Sequence, residues 1–337
     1  MTLPRTDHDV PFNITRASHV VLTVRDLDAS RLFYTEVIGL VVTAHEGSTL
    51  YLRGIEEACH HSLVLRRSDA VPSCPRVGMR VRREQDLDRL AEFLQRKGCS
   101  ADWAEIAHQG RTLQATDAAG VPLEFCASMP VLPRMLTQFH LHKGGAGARI
   151  DHYQILVPDV RAAAEFYMSA GFVLSEYIAA TDADDEALAG VFLQRKGNPH
   201  DIVFFTGTGP RLHHTAFASP ESVNVLRACD VAGALGFGSA VERGPGRHGP
   251  GHAFYVYFRD PDGHRVELFN THYQALDLEV EPVRWSAGQG TKLNPWGLPA
   301  QKKCFTQATP FTGVQQHAPA RAADPMTLET FLRDQES

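Results

Sequence analysis

Paired cysteines, an excess of basic charge and long apolar runs are all missing from this sequence. The six cysteines, Cys59, Cys74, Cys99, Cys126, Cys229 and Cys304, are scattered and form no CxxC pair. That spacing gives neither a zinc knuckle nor a disulfide framework, and points to reduced thiols in the cytoplasm. Acidic residues outnumber basic ones, 39 to 33, for a net charge of -6. That balance argues against a nucleic-acid binder working through basic patches. No stretch approaches the roughly 18 consecutive apolar residues of a membrane span, and the N-terminus has no apolar core of signal-peptide type. Histidine, by contrast, is plentiful: there are 17, and they cluster.

The length of 337 residues allows about two domains. Internal similarity supports that division. Ser18 to Asp26 reads as a strand, Leu27 to Val37 as an amphipathic helix stopped by Gly39, and two short strands follow. His60-His61-Ser62-Leu63-Val64-Leu65 reads as the start of a second unit, with a helix over Glu84–Lys97 and a closing strand over Val121–Phe125. The order returns later. Asp151 to Asp159 repeats the first strand, Arg161–Ser169 its helix, and Gly171 the stop. His213-His214-Thr215-Ala216-Phe217 repeats the His-His strand. The repeat pairs His19 with His152, His61 with His214, and Glu124 with Glu267. Four β-α-β-β-β units result, two per domain, with mixed sheets and hence an α+β class. Residues 1–143 and 148–280 form the two domains. The glycines of 143–147 read as a flexible linker, and residues 281–337 as an arm whose last twenty or so residues are loosely ordered.

The stretch from His248 to Phe269 concentrates the chemistry. Val256, Phe258, Val266 and Leu268 alternate with polar positions around Asp260-Pro261-Asp262-Gly263, a hairpin pattern. Glu267 lies within its second strand. A carboxylate among residues this apolar needs a partner, hydrogen bonds or a metal. His152 and His214 are likewise polar residues inside apolar strands. Two histidines and one carboxylate leave adjacent open positions on an octahedral metal, the ligand set of non-haem Fe(II) oxygen chemistry; Mn(II) accepts the same set.

Together these motifs resemble the vicinal-oxygen-chelate superfamily and, within it, the extradiol catechol dioxygenases, most of all the homoprotocatechuate 2,3-dioxygenase group. The residues that carry the resemblance are Arg149 to His152, Arg195-Lys196-Gly197 with His200-Asp201, Gly209 to His214, Glu242 to Gly249 and Asp260 to Glu267. It spans roughly residues 17–300 and is densest in the second half. The resemblance implies that each domain folds as an open mixed-sheet barrel around a cavity. It also implies a non-catalytic first domain, an arm covering the active site of the second, and a homotetramer. It further implies a catechol and O2 as substrates, with His152, His214 and Glu267 on the metal. His200 would act as acid/base, with His248 and Tyr257 beside the substrate oxygen, while Tyr255 is expected to face away. The first domain keeps His19, His61 and Glu124 but lacks counterparts of His248 and Tyr257, and Pro122 interrupts its last strand.

Departures from the group bear on the substrate. Two arginines and a histidine hold the acetate carboxylate there. Arg243 and His248 are present here, but Lys292-Leu293 stands where the second arginine is expected. Phe192 replaces an indole, and Gln154 an asparagine. A leucine in place of a guanidinium removes the strongest anion contact and suits a neutral, bulky group such as that of 2,3-dihydroxybiphenyl. The arylacetate is the second choice, with Lys292 as replacement cation. A lyase or isomerase of the same superfamily would usually bring a fourth metal ligand, which is not found. A non-catalytic binding protein of the same fold would need no triad at all.

Overall fold

The computed structural model describes residues 3–181, 187–277, 279–288, 290–321 and 325–335. Its first module runs β1 (Ile14–Val24), α1 (Leu27–Leu32, continued by a π-helical turn over Phe33–Ile38), β2 (Val41–Glu46), β3 (Thr49–Arg53) and β4 (Leu63–Arg67). The second is β5 (Arg76–Val81), α2 (Glu84–Arg96), β6 (Ser100–Ala104), β7 (Thr112–Thr116) and β8 (Pro122–Cys126). They share one sheet, ordered β2-β3-β4-β1-β5-β8-β7-β6. The third module is β9 (Arg149–Val157), α3 (Val160–Ser169), β10 (Val173–Ala179), β11 (Leu188–Gln194) and β12 (Ile202–Thr206). The fourth is β13 (Arg211–Ala218), α4 (Ser222–Ala234), β14 (Val241–Arg247), β15 (Phe254–Arg259) and β16 (Arg265–Asn270). The arm adds β17 (Val283–Ser286), α5 (Gly290–Leu293), α6 (Lys302–Thr306), β18 (Thr309–Pro310) and α7 (Leu328–Gln335). The second sheet runs β14-β15-β16-β13-β9-β12-β11-β10-β17, with β18 on β13.

Local chemistry explains why the modules repeat. Asp26 caps α1 by accepting from the Asp28 and Ala29 amides, and Asp159 caps α3 by accepting from Ala162. Such caps contribute typically ~1 kcal/mol. Both helices end against a glycine at φ +86°, Gly39 and Gly171, a conformation that costs other residues a Cβ clash. The central strands β9, β11 and β13 are buried along nearly their whole length. They carry helices on one face and the cavity on the other, so they read as continuous apolar runs in which any polar residue stands out.

Two readings of the sequence need correction. The His60–Leu65 segment does not open the second module. Its strand is β4, which pairs parallel to β1 and closes the first; the second opens at β5, antiparallel to β1. Arg76–Val81 carries no histidine, so the histidine pattern gives no sign of it. The glycines of 143–147 are not a flexible linker either. Residues 144–148 are buried. The amides of Gly145 and Gly147 donate to Val37 and Ile38 carbonyls. A Cβ on Gly144 would lie 2.2 Å from the Glu36 and Val37 carbonyl oxygens. Glycine is there because the chain threads through the interface. Part of the tail expected to be loosely ordered lies outside the described residues, and the described part includes α7.

Candidate metal centre

The register of three strands builds the site. His152 lies on β9, and Ala216 of β13 pairs with it. Ala216 in turn pairs with Glu267 of β16. The His214 side chain, two residues before Ala216, projects from the same face as the Ala216 methyl. His152 Nε2 and His214 Nε2 stand 3.3 Å apart, and 3.3 and 3.1 Å from Glu267 Oε2. All three residues are buried.

Their outer atoms are tied down in a way that fixes the protons. His152 Nδ1 lies 3.0 Å from Asp151 Oδ2, and a carboxylate only accepts, so Nδ1 carries the hydrogen. Asp151 also accepts from Asn198 Nδ2, and Lys196 stands 3.7 Å away. Burial opposes its charge, yet Lys196 and the histidines hold the carboxyl well below its usual range. On the other ligand, His213 Nε2 lies 2.8 Å from the Cys304 carbonyl and must donate to it. His213 Nδ1 is then an acceptor, 2.7 Å from His214 Nδ1, which donates. Both ligand histidines therefore turn a bare Nε2 lone pair toward Glu267 Oε2. Three lone pairs within about 3 Å repel unless a positive charge sits among them. These residues fit a divalent cation for that reason. Burial and His152 hold His214 down at about 4 against the pull of Glu267, so it is neutral. Burial works against the Glu267 charge, yet the imidazoles of His152, His214 and His248 around it hold the carboxyl well below its usual range.

His213 and its partner Cys304 were not singled out from the sequence, although His213 adjoins a ligand. His213→Phe keeps the ring but removes the acceptor that orients His214. Loss of such a partner costs typically 10–100-fold in metal affinity. A competitive chelator titration that finds the affinity unchanged would dismiss the role.

The remaining expected residues line a cavity of ≈150 Å³ on the open side of the set: Gln154, Phe192, His200, Arg243, His248, Tyr257 and Leu293. His200 is buried, its ring 4.2 Å from that of His152, and its Nδ1 has no hydrogen-bond partner. Burial, with His152 and His272 nearby, pushes it well below its ordinary range, so it is neutral. His248 Nε2 lies 2.9 Å from Tyr257 Oη. Burial and the Glu267 charge raise the phenol far above its usual value, which keeps it protonated. Arg243 offers an unpartnered Nε, while its Nη2 reaches Asn294 Oδ1 at 3.3 Å. Lys292 is exposed and absent from the lining. Tyr255 does not face away. Residues i and i+2 of a strand share a face, and Tyr255 stacks on His248 with centroids 3.6 Å apart.

Two more residues escaped the sequence reading. His272 forms a second close set with His152 and His200. Glu176, on β10, is buried and accepts from the Gly251 amide (2.8 Å), Tyr273 Oη (2.9 Å) and Trp285 Nε1 (2.6 Å). It ties the His248-bearing loop to the arm. A lone glutamate between Ser175 and Tyr177 in an apolar strand was the available signal.

The first sheet repeats the frame without the site. Register pairs Val20 with Leu63 and Tyr153 with Ile202, so His61 is the counterpart of His200, two residues upstream. Val21 pairs with Arg76 as Gln154 pairs with His214, so Arg76 stands in the second histidine's place. The pairing of His61 with His214 is therefore wrong. A sign was available: it needs a longer separation than the later Glu124–Glu267 pair. Gln109 plugs the space, its Nε2 2.7 Å from Glu124 Oε1 and 3.2 Å from His19 Nε2.

Comparison with known proteins follows the same lines. A model of the Glyoxalase/Bleomycin resistance protein/Dioxygenase superfamily matches residues 16–125 and 149–268, one match per pair of modules. The chain belongs to that superfamily. Its members include relatives that match nearly end to end. A manganese-dependent 2,3-dihydroxybiphenyl 1,2-dioxygenase from Geobacillus genomosp. 3 is 29% identical over 306 residues, 86% of this chain and 95% of the relative. A metapyrocatechase from Pseudomonas sp. (strain CF600) is 28% identical, over 81% of this chain and 91% of the relative. Among superfamily structures, the anaerobic 3,4-dihydroxyphenylacetate complex of homoprotocatechuate 2,3-dioxygenase from Brevibacterium fuscum superposes with a TM-score of 0.86. It has 33% identity and covers 94% of this chain and 98% of its own. The α+β vicinal-oxygen-chelate fold expected from the sequence is the one found.

Proposed function

We propose that the chain is an extradiol dioxygenase that inserts both atoms of O2 beside the vicinal diol of a catechol bearing a bulky apolar substituent. One observation carries the reading: the His152–His214–Glu267 set opens on one side onto a cavity where two hydrogen-bonding atoms, His200 Nδ1 and Arg243 Nε, have no protein partner. Fe(II) or Mn(II), held by these three residues, supplies an electron path between catechol and O2 and makes the catechol hydroxyls more acidic. His200, neutral and desolvated, takes or returns a proton on the oxygen side of the cavity. Tyr257, kept protonated and hydrogen-bonded to His248, donates to a substrate oxygen. Phe192 and Leu293 give an apolar wall, and Gln154 a polar edge. A homotetrameric, cytoplasmic enzyme belongs to the same reading, by resemblance to its relatives. Oxygen uptake with a panel of catechols, with metal content measured on the same sample, tests it; no uptake from metal-loaded protein would refute it.

The substituent is read from the wall. A carboxylate would meet Arg243 alone, because Lys292 points away. With a buried guanidinium as its one cationic partner, a carboxylate's desolvation offsets much of the attraction. Apolar contact with Phe192 and Leu293 is worth roughly 25 cal/mol per Å² buried. kcat/KM is therefore expected to rank 2,3-dihydroxybiphenyl or an alkylcatechol above 3,4-dihydroxyphenylacetate. Leu293→Arg should narrow or reverse the order. A parent enzyme that prefers the arylacetate by about tenfold, ~1.4 kcal/mol, would mean another cation takes the second arginine's place.

A further inference from the structure

We infer that the substrate site continues past the catechol ring into a vestibule under the C-terminal arm, and that the preferred substrate fills it with an apolar group longer than one ring. The inference deepens the extradiol reading and rests on it. The cavity at the His152–His214–Glu267 set measures ≈150 Å³, about the volume that holds one benzene. A catechol ring occupies most of it, so a substituent longer than one ring must leave it. Beyond lies a second cavity of ≈870 Å³, within the roughly 300–1,000 Å³ of sites for drug-sized ligands. The two share Gln154, Ile178, Phe205, His213, Arg243 and Leu293 in their walls. They meet at a neck that Leu293 and Arg243 help to line.

The arm makes the far wall. Trp296, Phe305, Met326 and Phe331 face strand residues of the second sheet across this space. Trp296 and Met326 are 49% and 39% exposed, so a ligand lying there removes large apolar surfaces from water. Charge points the same way. Among the described lining residues there is no carboxylate, and the charged side chains are Arg211 and Arg243. Arg211 is spent on the Thr208 and Thr306 carbonyls, at 2.6 and 3.1 Å. Arg243 sits at the neck, not in the vestibule's depth. A group ending in an anion would find one guanidinium, already held by two carbonyls; an alkyl chain or fused rings would find mainly apolar contact. Single-ring substituents reach the neck and leave Trp296, Phe305, Met326 and Phe331 untouched.

The test uses full-length, metal-loaded protein. Catechol, 2,3-dihydroxybiphenyl and 3-octylcatechol are titrated without oxygen, with binding read from quenching of tryptophan fluorescence, then given oxygen and followed by uptake. 3-Octylcatechol is expected to bind at least about tenfold more tightly than 2,3-dihydroxybiphenyl, since each buried methylene adds to apolar transfer. Phe331→Ala should shrink that ratio, and Phe331→Trp, which fills the space, should shrink it for the octyl chain most. Catechol binding in the same variants reports whether they are folded. Equal affinity for the phenyl and octyl compounds, with catechol cleaved normally, overturns the vestibule and leaves the extradiol reading standing. A steep dependence on chain length with no ring cleavage supports the vestibule and overturns the extradiol reading.

Discussion

Glu267→Gln loses metal and activity together. The carboxylate is the one negative charge among the three donors, and its Oε2 faces two bare imidazole nitrogens at 3.1 and 3.3 Å. The amide keeps the shape but loses the charge, and presents either a weaker oxygen donor or an N–H that cannot ligate. Its isosteric form leaves the β15–β16 register, in which Glu267 pairs with Tyr257, free to persist. Loss of a mere supporting partner costs roughly 10–100-fold in metal affinity; loss of the anionic ligand should exceed that range. Elemental analysis is expected to find about one ion per chain in the parent and a trace in the variant. Stoichiometric metal in the variant would remove Glu267 from the site. Close to two ions per parent chain would mean that the Gln109-plugged frame of the first sheet opens and binds.

The second large effect is on turnover alone. His200→Phe is expected to keep its metal and its affinity for catechol, yet turn over about 10²–10⁴-fold more slowly, the usual weight of one general acid–base group. Its ring packs beside those of His152 and Phe192, so phenylalanine fits the space but moves no proton. Single-turnover oxygen uptake separates this step from binding. Unchanged turnover at neutral pH would end the assignment. The pair of variants also decides between two donor sets, because ring nitrogens of His152, His200 and His272 also lie within 4.8 Å of one another. Metal lost from His200→Phe but kept in Glu267→Gln would put the ion in the all-histidine set.

Much of the site was legible before any coordinates. His152, His214 and Glu267 are polar residues inside apolar strands, and burial makes such residues conspicuous because an unpaired polar group there is costly. His200 and Leu293 had no such marker: each lies on an irregular or short segment whose pattern says nothing about direction. They came from resemblance. His213, Cys304, Glu176 and His272 act through other side chains, and a supporting partner leaves no periodic trace. The mistaken pairing of His61 with His214 had a different cause. Both follow another histidine, and similar dipeptides were matched across strands of different parity in the modules. Hydrogen-bond register, which a sequence does not display, assigns His61 to the counterpart of His200 and Arg76 to that of His214.

The sequence by itself determined that the modules repeat, the helix stops at Gly39 and Gly171, the placing of His152, His214 and Glu267 as polar residues inside apolar strands, and the superfamily. These follow from periodicity, turn chemistry and the penalty for buried charge, all local in the chain or repeated along it. Tertiary structure alone decided which Nε2 lone pairs converge, through Asp151 on one side and the His213–Cys304 pair on the other. It also decided that Lys292 turns outward while Leu293 turns in, that the glycines of 143–147 are packed, and that the arm encloses a second cavity. Each of these depends on segments far apart in sequence meeting in one place, and that meeting is set by strand register and by what the arm packs against.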